Sequence, residues 1–273
     1  MDPAWLIDGE ERSGVPPDDR GLAYGDGLFE TIAVTGGLPR HFARHYARLR
    51  DSCERLGFAP PDRELIAADV ARLATVREDC VIKVIVTRGS AGRGYRPPAA
   101  PLPRRIVGVF PWPSWPTEHY TKGVRVIRCA TRLGENPVLA GMKHLCRLEQ
   151  IFAQREVAAA NADEGLMLSA GGQVISGTMS NLFAVTDSTL HTPKLDLCGV
   201  AGIMRSAVID AARSNGITVV ERALQLGFFQ SADEVFLCNS IFGIWPVCVL
   251  DDIAFSVGAL TQSLMQQLEI YPR

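Results

Sequence analysis

The chain of 273 residues is predicted to be an α+β protein of two domains, and three observations carry that prediction. Helical and strand periodicities are mixed along the whole length, and no internal repeat or long low-complexity tract interrupts them. One stretch, Phe110-Pro111-Trp112-Pro113-Ser114-Trp115-Pro116, breaks the pattern. Its three prolines fit neither a helix interior nor a central strand, so it reads as a linker. The expected domains are residues 1–112 and 123–273, joined by 113–122.

The clearest element is a helix over His41 to Gly57. Phe42, Tyr46, Leu49, Cys53 and Leu56 recur at spacings of four and three, and Gly57 is placed to stop it. The opposite face carries Arg44, Arg48, Arg50, Asp51, Glu54 and Arg55 and reads as mostly solvated. Residues 81–87 and 106–110 are β-rich apolar runs, expected in a largely buried sheet. Between them Arg88-Gly89-Ser90-Ala91-Gly92-Arg93-Gly94-Tyr95 must be a loop. Beyond the linker the pattern predicts a strand at 124–128, a helix at about 144–160, strands at 165–169 and 182–185, and a helix over 203–215 ended by Gly216. A strand pair at 234–238 and 247–250 and a short C-terminal helix follow.

The 28 Lys and Arg nearly balance the 30 Asp and Glu, so no global positive field favours a nucleic acid or an anionic lipid surface. No run approaches the roughly 18–20 apolar residues of a membrane span. Met1 to Asp8 lacks the basic start and apolar stretch of a secretory signal, so a cytoplasmic location is expected. Seven cysteines, with no C-x-x-C pair, read as small buried hydrophobes rather than zinc ligands. His41 and His45 share a helix face, but no acidic neighbour completes a zinc motif, and the five histidines read as surface residues with no metal expected.

Two segments could carry chemistry. The glycine-rich loop 88–95 lets backbone amides approach an anion, and its two arginines add charge, yet it fits neither a Walker nor a Rossmann fingerprint. On spacing alone a plain surface loop suits it as well. In Asn136-Pro137-Val138-Leu139-Ala140-Gly141-Met142-Lys143-His144 a lysine follows an apolar run. A desolvated amine has a lowered pKa and is ready for Schiff-base chemistry, although a snorkelling surface lysine is the plainer reading of Lys143 alone. No Gly-x-Ser-x-Gly elbow is present.

Taken together, Tyr24-Gly25-Asp26-Gly27-Leu28-Phe29-Glu30-Thr31, His45-Tyr46-Ala47-Arg48-Leu49, Lys143, Ser180-Asn181-Leu182-Phe183, Gly202-Ile203-Met204-Arg205 and Ala232-Asp233-Glu234-Val235-Phe236 resemble the fold-type IV pyridoxal-phosphate (PLP) enzymes over about residues 7–249. That group includes branched-chain and D-amino-acid aminotransferases and aminodeoxychorismate lyases. Gly92-Arg93-Gly94-Tyr95, residues 132–145, Arg147-Leu148-Glu149-Gln150 and Asn161-Ala162-Asp163-Glu164 look like the lyase branch in particular.

The resemblance implies a two-domain α+β fold of the D-amino-acid aminotransferase type, a homodimer, and PLP at the domain interface. It implies that Lys143, carried by the C-terminal domain, forms the Schiff base with PLP and acts as general base. Arg48, the backbone N–H groups of Ile203 and Met204, and Ser240 would hold the cofactor phosphate. Arg93 would bind a carboxylate of the substrate 4-amino-4-deoxychorismate, and Thr31 is a possible proton donor to the pyruvate fragment. The alternative within the fold is a D-amino-acid or branched-chain aminotransferase. One position departs from the pattern: five residues before Asn181, where many relatives carry a glutamate facing the pyridine nitrogen, this chain has Ser176. A serine offers no anionic partner, so the ring is expected to be a weaker electron sink, which harms transamination more than an elimination whose product becomes aromatic.

Overall fold

The computed structural model describes residues 4–11 and 14–270, and the first and last residues of the two expected domains lie outside them. Two compact units emerge, one of residues up to Pro113 together with Met142–Cys146, the other of Ser114–Gly141 and the chain from Arg147 onward.

The first unit contains β1 (Trp5–Ile7), β2 (Glu10–Glu11), α1 (Arg20–Tyr24), β3 (Gly27–Thr35), β4 (Leu38–Pro39), α2 (Phe42–Leu56), α3 (Arg63–Ala74), β5 (Cys80–Thr87) and β6 (Arg104–Pro111). The strands form one antiparallel sheet in the order β2-β1-β6-β5-β3-β4. The strand β3 escaped the sequence reading because Glu30 and Thr31 interrupt its apolar run. Its register with β5 is unbroken from Gly27↔Thr87 to Val34↔Cys80, so Leu28, Glu30 and Ile32 share one face while Phe29 and Thr31 share the other.

The helix α2 forms where its periodicity predicts, with Gly57 in the left-handed conformation at its end. Its buried stripe is rotated from the expected one: His45, Leu49, Ser52 and Cys53 are the buried residues, and Phe42 and Tyr46 are half-buried. The rotation turns Arg48 inward, its side chain 12% exposed, on a face whose sequence reads as mostly solvated. The expectation that the histidines lie on the surface is corrected as well: His45 is buried and the other four are half-buried.

The second unit contains α4 (Glu118–Thr121), β7 (Val124–Leu133), α5 (Leu148–Ala159), β8 (Glu164–Ser169), β9 (Val174–Gly177), β10 (Asn181–Thr186), β11 (Thr189–Pro193), α6 (Ile203–Ser214), β12 (Val219–Arg222), α7 (Leu226–Gln230), β13 (Glu234–Asn239), β14 (Gly243–Leu250), β15 (Ile253–Ala254) and α8 (Ala259–Gln267). Its sheet runs β12-β11-β10-β13-β14-β7-β8-β9, with β15 on β14. Parallel pairs (β11 with β12, β14 with β7, β7 with β8) are mixed with antiparallel ones. The core beneath it gathers Phe183, Phe229, Phe236, Phe242, Trp245 and the apolar face of α6.

The predicted helix over 144–160 begins four residues late, at Leu148. The preceding segment is extended because it pairs with β3: Phe29 N–H donates to the Lys143 carbonyl at 2.9 Å and Leu145 N–H to the Gly27 carbonyl at 3.0 Å. This is why Lys143, expected in the C-terminal domain, groups with the first unit. Gly25 makes room for the segment: with φ of 67° it ends α1 in the left-handed region, and a Cβ there would stand 2.5 Å from the Cys146 sulfur. Five cysteines are buried as expected, whereas Cys146 is exposed and Cys248 half-buried. Burial pushes the thiols of Cys53, Cys129 and Cys238 up to about 12.

Candidate active site

Lys143 is held by backbone rather than by a helix. Its carbonyl is fixed by Phe29, and its Nζ lies 4.2 Å from the centroid of the Phe29 ring. Thr31 is half-buried, two residues along β3, on the same face as Phe29. The structure therefore places an amine and a hydroxyl-bearing strand face in one region of the first unit.

Arg48 is organised differently. Its Nε donates to Glu30 Oε1 at 2.8 Å and its Nη2 to Oε2, a bidentate ion pair. Glu30, 2% exposed, also accepts from His45 Nδ1 at 2.6 Å. Burial alone would push the Glu30 carboxyl up, but the charge of Arg48 and the hydrogen bonds from His45 and Arg48 outweigh it and hold the group below the usual carboxylate range. An ionised carboxylate only accepts, so Nδ1 of His45 donates this bond, and among the described residues the buried Nε2 finds no hydrogen-bond partner. Through these contacts Glu30 fixes the direction of the Arg48 guanidinium. Sequence reasoning missed Glu30 and His45. The available signal was a lone carboxylate inside the apolar run of 28–34, with His45 and Arg48 spaced to share a helix face.

In the second unit three of the expected residues meet at one end of the nine-stranded sheet. The helix α6 opens after Gly202, which has no side chain to cap it. Ile203 and Met204 are buried, and among the described residues no group accepts from their backbone N–H groups. First-turn amides and the positive end of the helix dipole make such a terminus fit an anion, a phosphate included. Gly202 packs against Asn181, where a Cβ would collide with Oδ1, and Asn181 Nδ2 donates to the Val200 carbonyl at 2.9 Å. Asn181 pairs with Cys238, so the turn that follows β13 and carries the half-buried Ser240 comes to the same sheet end. Gly141, two residues before Lys143 in the chain, exchanges hydrogen bonds of 3.0 Å with Gly199 and Ala201 just ahead of α6.

Ser176 is buried on β9, and its hydroxyl donates to the Gly177 carbonyl at 2.8 Å. Directly after it, the loop 177–180 is wrapped around Glu164, which is 0% exposed. That carboxylate accepts from the amides of Gly165 at 2.8 Å, Thr178 at 3.1 Å and Met179 at 3.2 Å, from the Ser180 hydroxyl at 2.8 Å, and from the Thr178 hydroxyl. In the sequence Glu164 closes the motif Asn161-Ala162-Asp163-Glu164, and nothing in its spacing points to this role. Arg93 stands exposed in the loop between β5 and β6.

Residues 27–250 match the class IV amino-transferase family, and the chain belongs to it. It is 36% identical, over 97% of its length and 99% of the relative, to an aminodeoxychorismate lyase from Vibrio harveyi. Among solved structures it is similar to a 4-amino-4-deoxychorismate lyase from Pseudomonas aeruginosa, with a TM-score of 0.93 and 47% identity over 97% of this chain and 98% of the other. It is also similar to a branched-chain amino acid aminotransferase from Escherichia coli, at a TM-score of 0.88 and 27% identity over 97% and 93% of the two chains.

Proposed function

We infer that the protein is a PLP-dependent lyase that converts 4-amino-4-deoxychorismate to 4-aminobenzoate and pyruvate, a step of folate biosynthesis. The observation that carries this reading is the seating of Lys143 against β3, in a chain of this family whose similar proteins include named lyases. When bound, PLP supplies an electron sink for the carbon that bears the substrate nitrogen.

The protein's own residues do the rest. The uncapped start of α6, through the N–H groups of Ile203 and Met204, suits the cofactor phosphate, and Ser240 at the same sheet end is a further donor. Arg48 is assigned to that phosphate by the family resemblance; Arg93 is assigned to a substrate carboxylate because two carboxylates call for a further cation and the glycine-rich loop gives Arg93 reach. The Lys143 amine removes the proton from the nitrogen-bearing carbon as general base. The electron pair left behind expels the enolpyruvyl oxygen from the neighbouring carbon, and the ring becomes aromatic. The enolpyruvate takes up a proton at its methylene carbon to give pyruvate, with Thr31 or the protonated Lys143 as donor. Ser176 would offer the ring nitrogen no anionic partner, which disfavours transamination more than elimination.

A homodimer agrees with the exposed apolar row Leu148, Ile151 and Phe152 on α5. Among the described residues no helix is long and apolar enough to cross a membrane, and a cytoplasmic location is proposed with it.

Borohydride reduction of the PLP-loaded protein should leave the cofactor mass on the peptide that carries Lys143, and an unmodified Lys143 would remove the reading. Pyruvate should be released from 4-amino-4-deoxychorismate, whereas transfer from D-alanine or a branched-chain amino acid to 2-oxoglutarate as the faster reaction would favour the aminotransferase alternative. Ser176→Glu is expected to raise transamination more than lyase turnover; a strong gain in lyase turnover alone would refute the account of Ser176.

A further inference from the structure

The loop that carries Arg93 is fixed on both sides by a cluster of buried charge to which the reaction scheme assigns no part. At its centre is Asp26. Arg88 donates to it from Nε at 2.7 Å and from Nη2 at 3.0 Å, and Arg20 donates from Nε at 2.8 Å. Burial would raise the Asp26 carboxyl, but the hydrogen bonds and charges of Arg88 and Arg20 prevail and hold it below the usual range. The arginines are 6% and 4% exposed, and each also reaches backbone. Arg88 donates to the carbonyls of Leu56 at 2.8 Å and Gly57 at 3.3 Å, which ties the start of the loop to the end of α2.

Arg20 works at the other end of the loop. Its Nη1 donates to the Gly94 carbonyl at 2.9 Å and its Nη2 to the Tyr95 carbonyl at 3.1 Å. The Gly94 amide donates to the Tyr24 hydroxyl at 3.0 Å, the rings of Tyr24 and Tyr95 meet edge to face at 5.5 Å, and the Arg20 guanidinium lies 4.9 Å from the centroid of the Tyr24 ring. On the near side the Ala91 amide donates to the Asp18 carbonyl at 3.3 Å, and the Arg20 amide to the Gly89 carbonyl at 3.0 Å. Arg93 is therefore an exposed cation between two anchored flanks.

Burying two guanidiniums is costly, and a loop that merely joins two strands has no need of it. An arginine required at one place has such a need, because fixed flanks lower the entropy lost when a ligand is bound. We propose that Arg20 and Asp26 are positioning residues that set Arg93 toward a carboxylate of the substrate. The proposal rests on the assignment of Arg93 to that carboxylate.

The test uses the PLP-loaded protein, 4-amino-4-deoxychorismate, and the variants Arg93→Ala, Arg20→Lys and the double variant. A lysine at 20 can still pair with Asp26 but cannot hold both loop carbonyls as well. Arg20→Lys should raise KM about tenfold with kcat within about twofold, the pattern of lost uniform binding. It should leave PLP affinity, read by absorbance titration, unchanged, while hydrogen exchange rises in residues 89–96. The double variant should be no worse in KM than Arg93→Ala, since Arg20 acts through Arg93. If Arg93→Ala raises KM and Arg20→Lys does not, the positioning role falls and the Arg93 assignment stands. If Arg93→Ala leaves KM unchanged, the assignment falls and the proposal with it. Effects that multiply in the double variant would also overturn the proposal. Should Arg20→Lys fold poorly, Tyr24→Phe, which removes the hydroxyl partner of Gly94, is read in the same way and should raise KM about threefold.

Discussion

Two buried carboxylates, one in each unit, are kept in place by opposite means. Glu30 is balanced by a cation: Arg48 covers both its oxygens, and His45 adds a third hydrogen bond. Glu164 has no cation among its hydrogen-bond partners in the described residues and is satisfied by backbone amides and two hydroxyls. A carboxylate paired with an arginine fixes the direction of a side chain, whereas one surrounded by amides fixes the path of a loop. Glu30 thus acts on Arg48, and Glu164 on the turn that joins Ser176 to Asn181.

The comparison can be broken in three ways. The largest effect is expected from Glu164→Ala, which strands several buried donors at once and should cost about 3–5 kcal/mol, read as a fall of roughly 10 °C in the thermal midpoint. No change at a partner residue should restore that loss, because no single partner carries it. Next, Glu30→Leu should cost about 3 kcal/mol by leaving Arg48 without its carboxylate, while the double variant Glu30→Leu/Arg48→Met should recover part of that loss in denaturant unfolding. Failure of the double variant to recover any stability would mean that the pair is not the unit that matters.

The smallest effect is that of pH. The Glu30 carboxyl is held below its ordinary value of 4.5 in the folded protein, so its contribution to stability is present above that value and is lost as pH falls through the lower folded value. Stability should therefore decline below about pH 5, and the decline should be shallower in the Glu30→Leu/Arg48→Met variant, which no longer carries that proton linkage. An unchanged acid limb would show that other groups set it.

Much of the scaffold was legible because local periodicity and burial agree there: α2, α6 and the strands β5, β6, β8, β10 and β13 all form where their patterns point. Two failures are informative. β3 was missed because its buried face includes Glu30, which breaks an apolar pattern and is tolerated only through Arg48 and His45, residues of a different element. The start of α5 was set too early because residues 143–145 hydrogen-bond to β3, a pairing that no local propensity encodes.

The sequence by itself determined the α+β class, the amphipathic helix of the His-x-x-Arg-Leu motif, the loop nature of 88–95 and, through resemblance, Lys143 and the Gly-Ile-Met-Arg helix start. These are properties of short segments, written in side-chain spacing and residue identity. Only the tertiary structure decided that Lys143 is seated on β3, that Arg48 turns inward onto Glu30, and that Asp26 and Arg20 grip the Arg93 loop. Each of those depends on groups far apart in the chain, and a buried charge or an open strand edge is satisfied only by whatever partner the fold brings to it.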